Sequence, residues 1–257
     1  MVRRIEDEVE YYYDSHSTEE DLMGETAFHA ALVRYLVGVL TWLFQGQTCA
    51  IHENLNIYQT ANQYEYPLAP DVAIFKGMVY QLIRSWKVGK TGPAPHVVFE
   101  IASEETWAKD LDEKPARYAH MGVQEYYAYD PNEPPLPRSK AQRLFGWRLD
   151  PQQGIMRPMT PASNGALWSA QLESWLVPDG TMLRLYERNG QMRLTDVEAE
   201  SQEAEIQTRR AEAEAWRAEI ESRRAEEEAK RAEEAIRQAK VMADKLRSLG
   251  VDPDQLL

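Results

Sequence analysis

The sequence predicts an α/β fold with a mixed sheet flanked by helices, an added β-hairpin region and a long charged C-terminal helix. Residues 24–46 carry apolar side chains every three or four positions, as an amphipathic helix does. Short segments rich in Val, Ile, Phe and Tyr then surround a second helical segment, which is the pattern of a βαβ unit. Residues 196–247 are rich in Ala, Glu and Arg and contain neither Gly nor Pro, so they predict one long helix.

The first helix carries Leu32, Leu36 and Leu40 on one face, and Gly46 is expected to end it. The predicted β segments are bounded by Pro, Gly or Asn and cover residues 49–59, 69–75, 96–103 and 125–131. A second helix is predicted from about Glu105 to His120, with Ser103 or Thr106 as its cap. Residues 142–150 and 154–159 predict a further hairpin.

Three regions follow from these patterns. Residues 1–20 are predicted to be a flexible acidic arm, residues 21–195 the folded domain, and residues 196–257 a helical tail. The apolar seam of the tail is mostly alanine, which favours a solvated helix or a weak alanine coiled coil over a sustained heptad repeat. This tail is a candidate for binding a protein partner.

The charge distribution bears on possible partners. The net charge is -13, with 25 acidic and 18 basic residues in residues 1–195 and 17 and 11 in the remainder, so the predicted domain is itself acidic. Strong nucleic-acid binding usually relies on excess Lys and Arg, and here it would need a local basic groove. No segment resembles a signal peptide or a membrane span, and the lone Cys49 cannot form an intramolecular disulfide, so a cytoplasmic location is expected.

Two carboxylates stand beside apolar strands, where an acidic side chain is unexpected unless it is paired, exposed or bound to a metal. Asp71 precedes one predicted strand and Glu100 lies in the next. If these strands are neighbours, both carboxylates could bind one Mg²⁺ or Mn²⁺ ion, which prefers oxygen ligands and often takes only one or two carboxylates. Lys114, one helical turn after Asp110, could orient a water molecule and stabilise charge on a phosphate.

Each residue also has a structural interpretation. Asp71 could be a turn residue after Pro70, and Glu100 a solvent-facing carboxylate at a strand end. Asp110 and Lys114 could form an ordinary surface ion pair, worth about 0.3 to 0.5 kcal/mol. Three of the five histidines, His29, His52 and His96, match no zinc-binding spacing and are interpreted as structural.

The chain resembles the Uma2 group of endonucleases in the PD-(D/E)XK restriction-endonuclease-like superfamily. The segments that carry the resemblance are residues 70–77, 97–118 and 121–131, and its full extent is about residues 21–186. It implies a restriction-endonuclease-like sheet, with Asp71 and Glu100 as metal ligands and Lys114 as the catalytic lysine. The superfamily's strand motif has lysine where this chain has Ala102, so the helix would supply the lysine instead.

The resemblance further implies that Glu25, near the start of the first helix, is an additional acidic site residue. An acidic residue in the first turn of a helix is also favourable in itself, and that alternative stays open. The resemblance is also compatible with a homodimer.

The leading hypothesis is therefore a Mg²⁺- or Mn²⁺-dependent endonuclease that hydrolyses DNA. The alternative is a catalytically inactive nuclease fold that serves as a binding or assembly module with a partner-binding tail. The acidic domain and the absent strand lysine motivate this alternative.

Overall fold

A computed structural model describes residues 27–59 and 66–250. The predicted arm at residues 1–20, the site residue Glu25 and the end of the tail after Gly250 lie outside the described residues. By contacts, the chain divides into two units, Met1–Val197 and Glu198–Leu257.

The described helices are numbered here in chain order: α1 Ala27–Leu43, α2 Trp107–Asp112, α3 Lys114–Met121 and α4 Asp196–Ser248. The strands of the first half are β1 Cys49–Glu53, β2 Asn56–Tyr58, β3 Val72–Lys76, β4 Ser85–Lys87 and β5 Val97–Ile101. Those of the second half are β6 Glu125–Tyr129, β7 Leu144–Asp150, β8 Ile155–Pro158, β9 Leu167–Ser169, β10 Ser174–Asp179 and β11 Met182–Tyr186.

A six-stranded sheet in the order β1-β3-β5-β6-β7-β8 forms the centre of the first unit. β5 and β6 are parallel and are joined through α2 and α3, while the other neighbours in this sheet are antiparallel. This is the mixed sheet with flanking helices that the sequence predicts, so the fold class is confirmed. Two smaller sheets accompany it, β11-β10-β9 and the parallel pair β2-β4.

The middle strands of the central sheet, β3, β5 and β6, are buried on both faces. Leu32, Leu36 and Leu40 of α1 share one apolar cluster with Ile74 and Phe99 of the sheet. Because side chains alternate along a strand, the neighbouring positions of the same strands face the opposite side. There they join a second cluster, which includes side chains of α2 and α3: Phe75, Val98, Trp107, Tyr118 and Tyr126.

Two predicted elements are each divided in the structure. The segment 49–59 forms two strands because Asn54 adopts a left-handed conformation with φ 52°, which ends β1. The predicted helix 105–120 is two helices separated at Glu113, whose φ is -109°. Pro115 explains the break, because it lacks the N–H that a continuous helix would need at that position and fits in the first turn of a new helix.

The long helix predicted at 196–247 is confirmed as α4, Asp196–Ser248, and none of its residues is buried. Opposite charges one turn apart stabilise it along its surface, as in the pairs Glu205–Arg209 and Glu219–Arg223. Among the described residues, no helix combines the length and the apolar character that a membrane span requires.

Glu125, at the start of β6, is a buried carboxylate that links the central sheet to the β9-β10 connection. It is only 1 % exposed. Its oxygens accept hydrogen bonds from the Ser169 hydroxyl at 2.6 Å, from the Ala170 amide at 3.0 Å and from Arg148 Nε at 3.0 Å. Buried donors are costly to leave without an acceptor, so this carboxylate holds the two sheets in register.

Replacing Glu125 with alanine should lower the free energy of unfolding by about 3 to 5 kcal/mol, since it removes the acceptor of several buried donors and of Arg148. Urea unfolding followed by circular dichroism measures the change. Asp112→Ala is the matched control because Asp112 pairs with Arg138 at the exposed surface. Equal midpoints for the two variants would show that Glu125 has no such structural role.

Candidate active site

Asp71 lies immediately before Val72, the first residue of β3. Its side chain is 14 % exposed. One oxygen accepts a hydrogen bond from the Ile101 amide of β5 at 2.5 Å, and the other lies 3.0 Å from His29 Nε2 of α1. The Asp71 side chain is therefore held in place by a backbone amide of β5 and by a histidine side chain of α1.

Glu100 lies within β5, a strand whose five residues are all buried. Val72 of β3 pairs with Phe99, so Asp71, one residue before Val72, lies next to Glu100 of the adjacent strand, and its charge contributes to the raised pKa of Glu100. Glu100 is 4 % exposed and faces α2 and α3, where the Tyr118 hydroxyl donates a hydrogen bond to its Oε1 at 2.5 Å. The solvent-facing interpretation of Glu100 is therefore wrong.

Lys114 is the first residue of α3, directly after the break at Glu113. Its Nζ lies 2.8 Å from Glu100 Oε1 and 2.7 Å from Asp110 Oδ1, so one ammonium bridges two carboxylates. A cation at the N-terminus of a helix is unfavourable with respect to the helix dipole. The two carboxylates compensate for that cost, and the break in the helix determines where the ammonium lies.

Asp110 is fully buried on α2, so the interpretation of Asp110 and Lys114 as a surface ion pair is wrong. Its second oxygen accepts a hydrogen bond from the Thr106 hydroxyl at 3.0 Å. The Ser103 hydroxyl in turn accepts a hydrogen bond from the Thr106 amide at 3.1 Å. Thr106 occupies the N-cap position of α2 without a capping side-chain bond, because its hydroxyl is directed to Asp110.

The electrostatics of the cluster depend on burial. The pKa of Glu100 is raised from its ordinary value of 4.5 to about 8; burial is the main cause, the charge of Lys114 opposes it, and the charges of Asp71 and Asp110 contribute to the rise. Burial likewise raises the pKa of Asp110. Burial alone would lower the pKa of Lys114, but Glu100 and Asp110 outweigh it, so that pKa lies above its ordinary value and the amine stays protonated.

The structure thus brings together three of the four predicted site residues, Asp71, Glu100 and Lys114, whereas Glu25 lies outside the described residues. It adds Asp110 as the second partner of Lys114. It also places His29, which the sequence suggested was merely structural, in contact with Asp71.

The donor set can be compared with the needs of a metal ion. Asp71 and Glu100 offer carboxylate oxygens from adjacent strands, which fits a hard divalent cation that keeps several waters. In the described part of the chain, no group of three or more His, Cys, Asp or Glu side chains is arranged to hold a metal. Lys114 supplies the positive charge beside Glu100 instead, so metal binding would require exchange of this contact.

Comparisons with known proteins give a family and a similar solved structure. A family model named Uma2 and described as "Putative restriction endonuclease" matches residues 3–221. A solved structure titled as a "putative nuclease belonging to DUF820" from Anabaena variabilis ATCC 29413 is similar at 13 % sequence identity and a TM-score of 0.44, over 64 % of this chain and 89 % of that chain. Among curated proteins, no sequence matches.

The raised pKa of Glu100 predicts how stability depends on pH in metal-free buffer. Between the ordinary value of 4.5 and about 8, the folded protein holds a proton that the unfolded chain releases. The free energy of unfolding should therefore fall as pH rises across this window, by at most about 1.4 kcal/mol per pH unit from this group, and the contribution should level off above it.

Urea unfolding of the wild type and of Glu100→Gln, at intervals from pH 5 to pH 9 and with EDTA present, measures this slope. The glutamine cannot titrate, so its curve should be flatter over the same interval. Parallel curves for the two proteins would contradict the assignment of a raised pKa to Glu100.

Proposed function

The chain belongs to the Uma2 family of restriction-endonuclease-like proteins, and from that premise we propose that it is a Mg²⁺- or Mn²⁺-dependent endonuclease that hydrolyses DNA phosphodiester bonds. The observation that carries the proposal is the buried cluster in which Asp71 lies next to Glu100 and Lys114 contacts Glu100 at 2.8 Å. Buried carboxylates beside a buried ammonium are costly to maintain for stability alone, and such clusters are concentrated at functional sites.

Asp71 and Glu100 are the residues that would hold the ion. When bound, a divalent cation polarises a phosphate oxygen and lowers the pKa of water in its coordination shell. The contact between Asp71 and the Ile101 amide fixes one carboxylate in place, and the Tyr118 hydroxyl does the same for Glu100. Both carboxylates are thus positioned before a metal ion binds, which reduces the reorganisation that metal binding requires.

Lys114 is best suited to donate hydrogen bonds. Because its pKa is raised, it remains an ammonium over the working pH range and cannot accept a proton as a general base. It would orient the attacking water and stabilise the negative charge that develops on the phosphate. Asp110 positions it: the ion pair at 2.7 Å keeps the ammonium beside the site when its contact with Glu100 is exchanged.

A second function has its own supporting observation. Lys114 is already paired with both Glu100 and Asp110, and the long helix α4 has no buried residue. These features would also suit an inactive nuclease fold that serves as a binding or assembly module through its helix. Metal binding distinguishes the two functions, since the module has no need of an ion.

Asp71→Asn and Glu100→Gln should each reduce Mg²⁺-dependent cleavage of DNA by at least about 100-fold, because each removes a charged ligand. Lys114→Met should lower the rate by about 100-fold by removing a charge-stabilising donor. Cleavage of supercoiled plasmid and of single-stranded DNA with Mg²⁺ or Mn²⁺ gives the rates.

The matched controls are Asp112→Asn and Lys109→Met, which alter exposed side chains of α2 and should cleave as the wild type does. Circular dichroism shows whether each variant is folded. Wild-type rates in the folded Asp71→Asn and Glu100→Gln variants would exclude these residues as the catalytic ligands.

Calorimetric titration with Mg²⁺ or Mn²⁺ should give heat of binding and raise the melting temperature, and both effects should vanish in Asp71→Asn. Metal affinity should increase as pH rises through about 8, because Glu100 must lose its proton to bind the ion. A wild-type protein that gives neither heat nor a thermal shift would favour the binding module.

A further inference from the structure

His29 occupies a position of helix α1 where an apolar side chain is expected. It begins the buried stripe that continues with Leu32, Leu36 and Leu40, and it is 8 % exposed. Burying an imidazole costs free energy unless its polar atoms find partners. A leucine at this position would extend the apolar stripe without that cost. The histidine therefore has to be explained by the contact that it makes.

That contact is with Asp71, one of the two proposed metal ligands. His29 Nε2 lies 3.0 Å from Asp71 Oδ1. An ionised carboxylate can only accept hydrogen bonds, so Nε2 carries the proton and is the donor. The hydrogen bond joins helix α1 directly to a carboxylate of the proposed site.

The two oxygens of Asp71 are held by different elements of the fold. Oδ2 accepts a hydrogen bond from the Ile101 amide of β5 at 2.5 Å, and Oδ1 accepts the one from His29. The amide alone would fix one oxygen and leave the carboxylate free to turn about it. A second donor on the other oxygen fixes the plane of the group, so His29 determines how Asp71 is oriented.

These hydrogen bonds leave Asp71 able to bind a cation. A carboxylate has about four lone-pair sites, two on each oxygen. Among the described residues, Ile101 uses one site on Oδ2 and His29 uses one on Oδ1. Each oxygen keeps a site for an ion or for water, so the hydrogen bond from His29 orients the ligand without competing for the metal.

We infer that His29 is a positioning residue of the proposed metal site. Its Nε2–H holds the Asp71 carboxylate in the orientation that binds a divalent cation, and His29 does not itself bind the ion. This inference rests on the proposed function, because the ion belongs to that proposal. Hydrogen-bond partners of metal ligands typically contribute about 10- to 100-fold to metal affinity, which sets the size of the expected effect.

Binding of Mn²⁺ to the full-length protein tests the inference without any cleavage. Isothermal titration calorimetry at one fixed pH gives the dissociation constants of the wild type and of two His29 variants. His29→Leu fills the apolar stripe but lacks the donor, and it should bind Mn²⁺ about 10- to 100-fold more weakly. His29→Gln offers an amide N–H at a similar reach, so its dissociation constant should stay within about threefold of the wild-type value.

His52→Leu is the matched control for the loss of a buried histidine. His52 is 7 % exposed and packs against the rings of Phe75 and Tyr80. Its replacement should leave the Mn²⁺ dissociation constant unchanged. Melting followed by circular dichroism in EDTA shows that each variant is folded at the titration temperature. A merely structural His29 would change the melting temperature of its variants and leave their Mn²⁺ affinity as it is in the wild type.

The dependence of DNA cleavage on Mn²⁺ concentration gives a second measurement. His29→Leu should need about 10- to 100-fold more Mn²⁺ to reach half of its maximal rate. Its rate at saturating Mn²⁺ should approach that of the wild type, because both proposed ligands are still present.

Equal Mn²⁺ affinities of folded His29→Leu and the wild type would overturn the inference and leave the proposed function standing. Equal losses in His29→Leu and His29→Gln would overturn it as well, since the donor would then not matter. A wild type that binds Mn²⁺ but cleaves no DNA refutes the nuclease alone, because the affinities still decide the role of His29. A wild type that binds no Mn²⁺ refutes both.

Discussion

The arrangement of the site depends on the two ion pairs that the Lys114 ammonium forms with Glu100 and Asp110. Each charge transferred from water to a protein interior costs several kcal/mol, and that cost is offset here by close pairing and by the proton that Glu100 holds below about pH 8. The pairing joins the centre of the sheet to both helices of the crossover. Any movement of α2 or α3 away from β5 would leave a buried charge without its partner.

Local structure places the members of this cluster. Pro115 ends the first crossover helix and begins the second, so Lys114 becomes a first-turn residue that points back to the sheet. Tyr118, one turn later, donates its hydroxyl to Glu100. The antiparallel register of β3 and β5 then brings Asp71 next to Glu100. The break in the helix, the helical repeat and the strand register thus bring Lys114, Tyr118 and Asp71 to Glu100.

This arrangement gives the site two charge states with different roles. Without metal, Lys114 compensates Glu100, whose carboxyl is held near the boundary between its neutral and charged forms by burial. In the proposed function, Asp71 and Glu100 would hold a divalent ion, and the ammonium would keep Asp110 as its partner and be available to a phosphate. The same buried carboxylates therefore underlie both the predicted dependence of stability on pH and the chemistry proposed for the site.

The fold class and the central residues were predictable because they depend on local pattern. Asp71 and Glu100 are anomalous carboxylates beside apolar strands, and Lys114 lies one helical turn from Asp110. The break at Glu113 was not predicted, since proline in a first turn and proline in a helix interior look alike in sequence. The contact of His29 with Asp71 and the stacking of Tyr80 on His52 arise from pairings between distant segments, which no periodicity reveals.

The most direct measurement of the central claim is anomalous X-ray diffraction from crystals soaked in Mn²⁺. An anomalous peak bound by the carboxylates of Asp71 and Glu100, with the Lys114 ammonium displaced from Glu100 but still paired with Asp110, is the predicted result. At saturating Mn²⁺, a site without a peak and with the contact between Lys114 and Glu100 intact would contradict a metal-dependent function of these residues.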